Sequence, residues 1–400
     1  MTIDLVFPAL PPALDGIGDH TAMLAEALHR AGCTVRVRTE QRGATPIPGV
    51  DISRDFGITP PWNVWHLADA VAADPPDWLF VQFNQFSYGR YGFNPWLPWT
   101  LREIQRRTPD VHIAWMAHED FVPPKNWKFA IMRQWQRWQF RTLGHLADSI
   151  FFSIEPWVRK YQSWFPETPV SHLPVGSNIP HEGWSQTEAR QAIGIDPDAF
   201  VVGVFGTMRA SRLPGHIRAA VSALHGRDPH IRVLYVGPDG EALQAALPGI
   251  SLLDAGQLPA SEVSVHLSAM DIHLAPFVDG MSTRRGSPIA GLQHGVATLS
   301  TDGPLTDTIL RDLEGTAFVL TPVESQRAYA QAALDLYPAD TRRSQISQSS
   351  RKVFDDLFCW KAIAGRLMAT LDNSSQCVQS LASTRDEFHD AAQITDMTGG

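Results

Sequence analysis

The apolar run Ile3 to Phe7 is too short for a buried helix and reads as a buried strand. From Thr21 to Ala31 the apolar residues Ala22, Leu24, Ala25, Ala27 and Leu28 fall at helical spacing, and Gly32 supplies a stop. Thr34 to Thr39 alternates as a second strand. Asp77–Phe83, Val111–His118 and Asp148–Ser153 add three more, with helical stretches between them. The pattern then restarts. Phe200–Thr207 reads as a strand and Leu213–Gly226 as a helix, and the strands Ile231–Gly237, Ser251–Gly256, Asp271–Phe277 and Val296–Thr301 follow. Strands alternating with helices predict an α/β fold with parallel sheets covered on both faces. The restart predicts two doubly wound domains in tandem.

Residues 172–198, punctuated by Pro174, Gly176, Pro180, Gly183 and Pro197, form the best linker. The expected division is a first domain over 1–175, a second over 176–355, a helix over 356–371 that crosses back, and a flexible tail over 372–400. Two such domains are expected to leave a cleft between the carboxyl ends of their sheets, where ligands of these folds collect.

Composition narrows the function. A chain of 400 residues with 44% apolar residues can build two cores, and 19% charged residues argues against disorder. The net charge of -9 disfavours nucleic acid as a partner. Cys33, Cys359 and Cys377 lie far apart without metal-ligand spacing and read as reduced thiols. No targeting segment and no long apolar run stands out, so the expectation is a cytoplasmic protein that does not span a membrane. Eleven of the 13 tryptophans lie between Trp62 and Trp164, which separates the two halves in composition.

The loop Pro8 to Thr21 leads from the first strand into the first helix. Its Gly16 and Gly18 would let backbone N–H groups and the positive end of the helix approach an anion or a sugar. The plainer alternative is a turn that needs glycine. The loop is not a dinucleotide fingerprint, because a third glycine is missing. It is not a phosphate-cradling P-loop, because no Gly-Lys-Ser/Thr follows.

The segment "LDGIGDHTAMLAEALHRAG" resembles the first loop and helix of the GT-B glycosyltransferases, in particular the retaining family 4 (group 1) type. The resemblance spans roughly Ile3 to Leu371 and rests on four further places. It implies two Rossmann-like domains, a nucleoside-diphosphate sugar as donor substrate with no other cofactor, no metal, and an acceptor hydroxyl. In "AWMAHED" it places His118 against the donor sugar, with Glu119, Asp19 and Trp127 on the acceptor side; read alone, His118 is equally a strand-end residue capping a loop. In "GVFGTMRASRLPG" it implies a donor-phosphate site with Gly206, Thr207, Arg209 and Arg212. Arg212 stands at the family's lysine, and Thr207 departs from its arginine, for which Arg209 can substitute. The alternative is two solvated arginines.

In "APFVDGMSTRRGSPIAGLQHGVATLSTDG" the family's two glutamates are replaced by Ser282 and Ala290. The residues present have their own chemistry. Ser282, Thr283, Arg284, Arg285, Gly286 and Ser287 precede a helix over Pro288–His294, and hydroxyls, guanidiniums and a helix N-terminus together suit a diphosphate. Asp279 is the nearby carboxylate able to accept from sugar or ribose hydroxyls. An exposed loop is the alternative. Last, "VFDDLFCWKAIAGRLMATL" resembles the family's final helix, with Trp360 as a core residue.

Arg212, Arg284, Arg285 and His118 are therefore the expected catalytic groups, stabilising a departing diphosphate. The acceptor is expected to be a saccharide, a lipid-linked molecule or a small molecule. Pro123–Leu146 sets Lys125, Lys128, Arg133, Arg137 and Arg141 among Trp127, Trp135 and Trp138. Such a helix could rest peripherally on a membrane, offer rings to a saccharide, or pack on its own sheet with a basic outer face. A non-catalytic nucleotide-sugar or partner-binding protein and a nucleotide-sugar epimerase are the competing functions.

Overall fold

The structure is a computed structural model that describes residues 1–374; the rest of the expected tail, with Cys377, lies outside them. The chain forms two compact units. Among the described residues the first contains Met1–Ser153, Trp157–Leu173 and residues 363–374. The second contains Ile154–Pro156 and Pro174–Ala362.

The first unit is a seven-stranded parallel sheet in the order β3-β2-β1-β4-β5-β6-β7. Its strands are β1 (Thr2–Val6), β2 (Thr34–Thr39), β3 (Asp51–Arg54), β4 (Trp78–Phe83), β5 (His112–Ala117), β6 (Ser149–Phe152) and β7 (Val170–His172). The helices that connect them include α1 (Gly16–Arg30), α2 (His66–Ala73), α3 (Trp96–Arg107), α4 (Trp127–Leu146) and α5 (Glu155–Tyr161). All six residues of β4 are buried, as a central parallel strand covered on both faces requires. Aromatic rings fill the space beneath α4: Trp115 meets Phe140 edge-on at 4.8 Å, and Tyr161 lies 4.9 Å from Phe140. Part of the tryptophan excess is thus core. Another part, including Trp99 and Trp127, is exposed.

The second unit is a six-stranded parallel sheet in the order β10-β9-β8-β11-β12-β13. Helix α6 (Gln186–Ala192) precedes β8 (Val201–Phe205), α7 (Pro214–Arg227), β9 (Arg232–Val236), α8 (Gly240–Ala246) and β10 (Leu252–Asp254). Then come α9 (Ala260–Ser268), β11 (Ile272–Ala275), α10 (Gly286–Gln293), β12 (Ala297–Asp302), α11 (Thr308–Asp312), β13 (Val319–Pro322), α12 (Gln326–Leu336) and α13 (Asp340–Val353). Val202, Val204, Ile272, Leu274 and Leu299 of the sheet pack against Ile217, Val221, Tyr329 and Leu336 of α7 and α12.

The end of the chain departs from the expected helix over 356–371. A π-turn spans Phe354–Phe358, the backbone extends at Cys359, and a new helix runs over 360–374. Asp372 to Ser374 are therefore helical. Trp360 is half-buried, and its Nε1 donates to the Ser177 carbonyl at 2.8 Å. A Cβ at Gly176 would come within 2.7 Å of the Trp360 ring, so a glycine is required there.

Candidate functional site

In the second sheet β8 and β11 are neighbours, and their onward connections lead to opposite edges, through β9 and through β12. Ligands of doubly wound sheets collect beyond the carboxyl ends of such a pair. Gly206 follows β8 with φ +99°, a backbone conformation that favours glycine. The loop after it folds onto the segment after β11, where Arg212 bridges Phe277 and Val278 N–H donates to the Ser211 carbonyl at 2.9 Å. This buries Arg212 to 5% exposure. Its Nη2 donates to Ser287 Oγ at 2.8 Å and to the Phe205 carbonyl, and its guanidinium lies 4.3 Å from the Phe277 ring centroid. A Cβ at Gly206 would come 3.1 Å from that Nη2, so the glycine also makes room for the cation. Arg212 Nη1 is buried with no acceptor, and Arg212 forms no ion pair among the described residues. Burial, with repulsion from Arg285 as a smaller cause, pulls its pKa down to about 10, which still leaves it cationic at neutral pH.

The next segment is less open than the sequence suggests. Asp279 accepts from Arg284 Nη2 at 2.6 Å with one oxygen and from Arg285 Nη2 at 2.5 Å with the other. The Arg285 guanidinium also lies 4.3 Å from the Phe277 centroid. Thr283 donates its N–H at 2.7 Å and its hydroxyl at 3.1 Å to Asp307 Oδ2, while Glu155 N–H donates to Oδ1 at 2.6 Å. Burial raises Asp307 to about 6 against these hydrogen bonds. The hydroxyl of Ser282 is buried without a partner. Helix α10 starts at Gly286, two residues earlier than expected, and no side chain caps it. The first turn contains Gly286, Ser287 and Pro288; Pro288 has no N–H to give.

In the first sheet the corresponding neighbours are β1 and β4. The start of α1 already has its anion: Asp15 Oδ1 accepts from Ile17 N–H at 2.8 Å and from Gly18 N–H at 3.0 Å. His118 follows β5 and is buried. Its Nε2 lies 2.6 Å from Gln82 Oε1, within hydrogen-bond distance. His20 of α1 meets His118 edge-on with centroids 5.0 Å apart. Burial lowers His20 to about 3 and His118 well below the usual range, so both rings are neutral at neutral pH. Gln85, nearby in sequence, is buried with neither amide atom partnered.

No family model matches the sequence, and no curated protein matches it. Solved structures do. Sucrose-phosphate synthase from Thermosynechococcus elongatus aligns with a TM-score of 0.69 at 15% identity, over 96% of this chain and 100% of that one. HepE from Anabaena, in complex with UDP and glucose, aligns at 0.61 and 14% identity over 93% and 100%. The chain has the GT-B glycosyltransferase fold. A putative UDP-N-acetylglucosamine 2-epimerase from Listeria monocytogenes aligns at 0.59 and 14% identity, over 94% and 96%. At such identity the likeness is one of backbone, and the reaction has to be read from the residues.

In this GT-B chain the structure gathers Gly206, Arg212 and Ser287 into one cluster and Asp279, Arg284 and Arg285 into another, with Phe277 between Arg212 and Arg285. Several expectations need correction. The Gly18 amide is not unpaired, because the Asp15 carboxylate takes it together with that of Ile17. Gly18 serves packing instead: a Cβ there would lie 2.7 Å from the Ala9 carbonyl oxygen. Thr283 is committed to Asp307, and Asp279 to the two arginines. Thr207 is half-buried, Arg209 stands exposed, and Gly286 faces open space. Asp19 is half-buried in the first turn of α1, Glu119 is exposed, and Trp127 is 70% exposed. The sequence reading missed His20, Gln82, Phe277 and Asp307. Gln82 carried a signal: it is the lone polar residue of the strand "WLFVQF".

Proposed function

We propose that the chain transfers a glycosyl group from a nucleoside-diphosphate sugar to an acceptor hydroxyl, with the donor diphosphate held by the second unit. The observation that supports this reading best is Arg212, a buried cation with unused donors beyond the carboxyl ends of β8 and β11. In the transfer, the bond from the anomeric carbon to the diphosphate oxygen breaks as the acceptor oxygen bonds to that carbon. The acceptor proton is released, and the nucleoside diphosphate leaves. Negative charge grows on the phosphate oxygens, and a fixed guanidinium in a poorly solvated place stabilises it most at that moment. Ser287 and the uncapped amides of Gly286 and Ser287 add donors at the positive end of α10. Arg284 and Arg285 join when phosphate displaces Asp279, which frees that carboxylate to accept from sugar or ribose hydroxyls. The same reading has guanidiniums rather than a metal neutralise the leaving group, and has configuration retained at the anomeric carbon. Turnover should then be unaffected by a chelator, and the product anomer is read by NMR.

The first donors to try are UDP-sugars, since HepE is described with UDP and glucose. Release of nucleoside diphosphate from a panel of nucleotide sugars, with and without saccharide acceptors, tests the proposal. Acceptor-dependent release supports transfer. Isomerised donor without an acceptor indicates an epimerase, and binding without turnover of any donor indicates a binding protein; either outcome overturns it.

A further inference from the structure

Helix α4 meets its own core through Gln136, Gln139, Phe140, Leu143, Gly144 and Leu146. At about 100° per residue, Trp127, Ile131 and Trp138 fall on the opposite side. They are 70%, 52% and 45% exposed. A helix resting on its own sheet with only water outside carries polar residues at those positions. This one carries three large apolar ones beside its basic residues. Trp99 of α3, 63% exposed, lines a groove with Trp138 and Arg102 and extends the aromatic surface.

The charge around this face is one-sided. From Phe121 to Leu146 there is no Asp or Glu, while Lys125, Lys128, Arg133, Arg137 and Arg141 are all basic, in a chain of net charge -9. The guanidinium carbons of Arg137 and Arg141 lie 5.1 and 5.2 Å from the Trp164 ring centroid, which holds both charges beside the apolar stripe. Carboxylates that would accept from the hydroxyls of a saccharide stacked on tryptophan are absent from this segment. Large apolar side chains, interfacial tryptophans and uncompensated positive charge together match the headgroup region of an anionic bilayer.

We propose that this face of the first unit docks on anionic phospholipid, with Trp127, Ile131 and Trp138 at the headgroup–acyl boundary and Lys125, Lys128, Arg137 and Arg141 against the phosphates. The contact is peripheral: no helix among the described residues is long and apolar enough to cross a membrane. The inference does not depend on which reaction the second unit serves.

Co-sedimentation of the full chain with phosphatidylcholine vesicles, with and without phosphatidylglycerol, tests it. Binding is expected only with phosphatidylglycerol and should weaken as salt rises. The Lys125→Gln/Lys128→Gln variant should lose roughly fivefold in partitioning per charge removed. Trp127→Ser/Ile131→Ser should also release the protein, while Leu253→Ser, at an exposed apolar residue of the second unit, should not. Circular dichroism checks that each variant is folded. Wild type left in the supernatant, equal binding to both vesicle types, or α4 variants that sediment like wild type would each overturn the proposal.

Discussion

Asp4 is fully buried on β1 and accepts from Arg36 Nε at 2.6 Å and from Arg38 Nε at 2.5 Å. Arg38 also reaches Asp55 at 2.6 Å. Removing the central carboxylate leaves Arg36 with Asp74 and Arg38 with Asp55 as their remaining carboxylates, so Asp4→Ala should destabilise the fold by about 1.5–3 kcal/mol in urea unfolding. Arg212 is the opposite case, a buried guanidinium with no carboxylate. Such a group costs stability unless a ligand completes it. Arg212→Ala should therefore weaken diphosphate binding more than Arg284→Ala or Arg285→Ala, whose charges Asp279 already offsets; competition binding of nucleoside diphosphates reads the order. None of this pairing is visible along the chain. Arg36 and Arg38 look like the outer positions of an alternating strand, and only β1, paired alongside, brings Asp4 to them. His20 and Gln82 were hidden for the same reason, since each meets His118 only through the fold.

At the scale of elements, periodicity revealed the central strands, because burial on both faces leaves unbroken apolar runs, and the helices α1 and α7, but it did not single out α12 and α13. It missed β3, β7 and β13, edge strands of three or four residues: β3 and β7 have no buried residue, and β13 buries only alternate ones. The start of α1 shows how a motif can be legible while its role is not. The glycines were noticed, but the cap from Asp15 was not, and the cap decides whether the amides are free. Two neighbouring substitutions separate the roles. Gly18→Ala should destabilise by about 1–3 kcal/mol, because its Cβ would meet the Ala9 backbone. Gly16→Ala meets nothing within 4 Å and should be neutral or stabilise by up to about 1 kcal/mol. Thermal unfolding of the pair distinguishes packing from open space. Equal losses would contradict the assignment.

For the whole molecule, buried histidines set the response to acid. Burial lowers His20 and His273 to about 3 and His294 to about 4, and also lowers His118. As pH falls below about 6.5 the unfolded chain takes up these protons first, so stability is lost with acidification. Asp307 works the other way. Its folded value of about 6 means the native state binds that proton first, so its contribution is present at low pH and is lost as pH rises through 6. Asp148 and Asp271 are raised by burial and act in the same sense. Four lowered histidines outweigh Asp307, which is only about half protonated at pH 6, so urea midpoints should fall as pH drops from about 6.5 toward 6. A flat or rising midpoint there would contradict the buried, neutral rings.

The account depends on Arg212 serving as the seat of a diphosphate. Calorimetric titration of the full chain with nucleoside diphosphates measures this directly, with Arg212→Lys and Arg212→Ala beside wild type and their folding checked by circular dichroism. Wild type should bind at least one of them, and Arg212→Ala should bind it about tenfold to a hundredfold more weakly, with Arg212→Lys in between. Undiminished binding by a folded Arg212→Ala, or no binding of any nucleoside diphosphate by wild type, would contradict it.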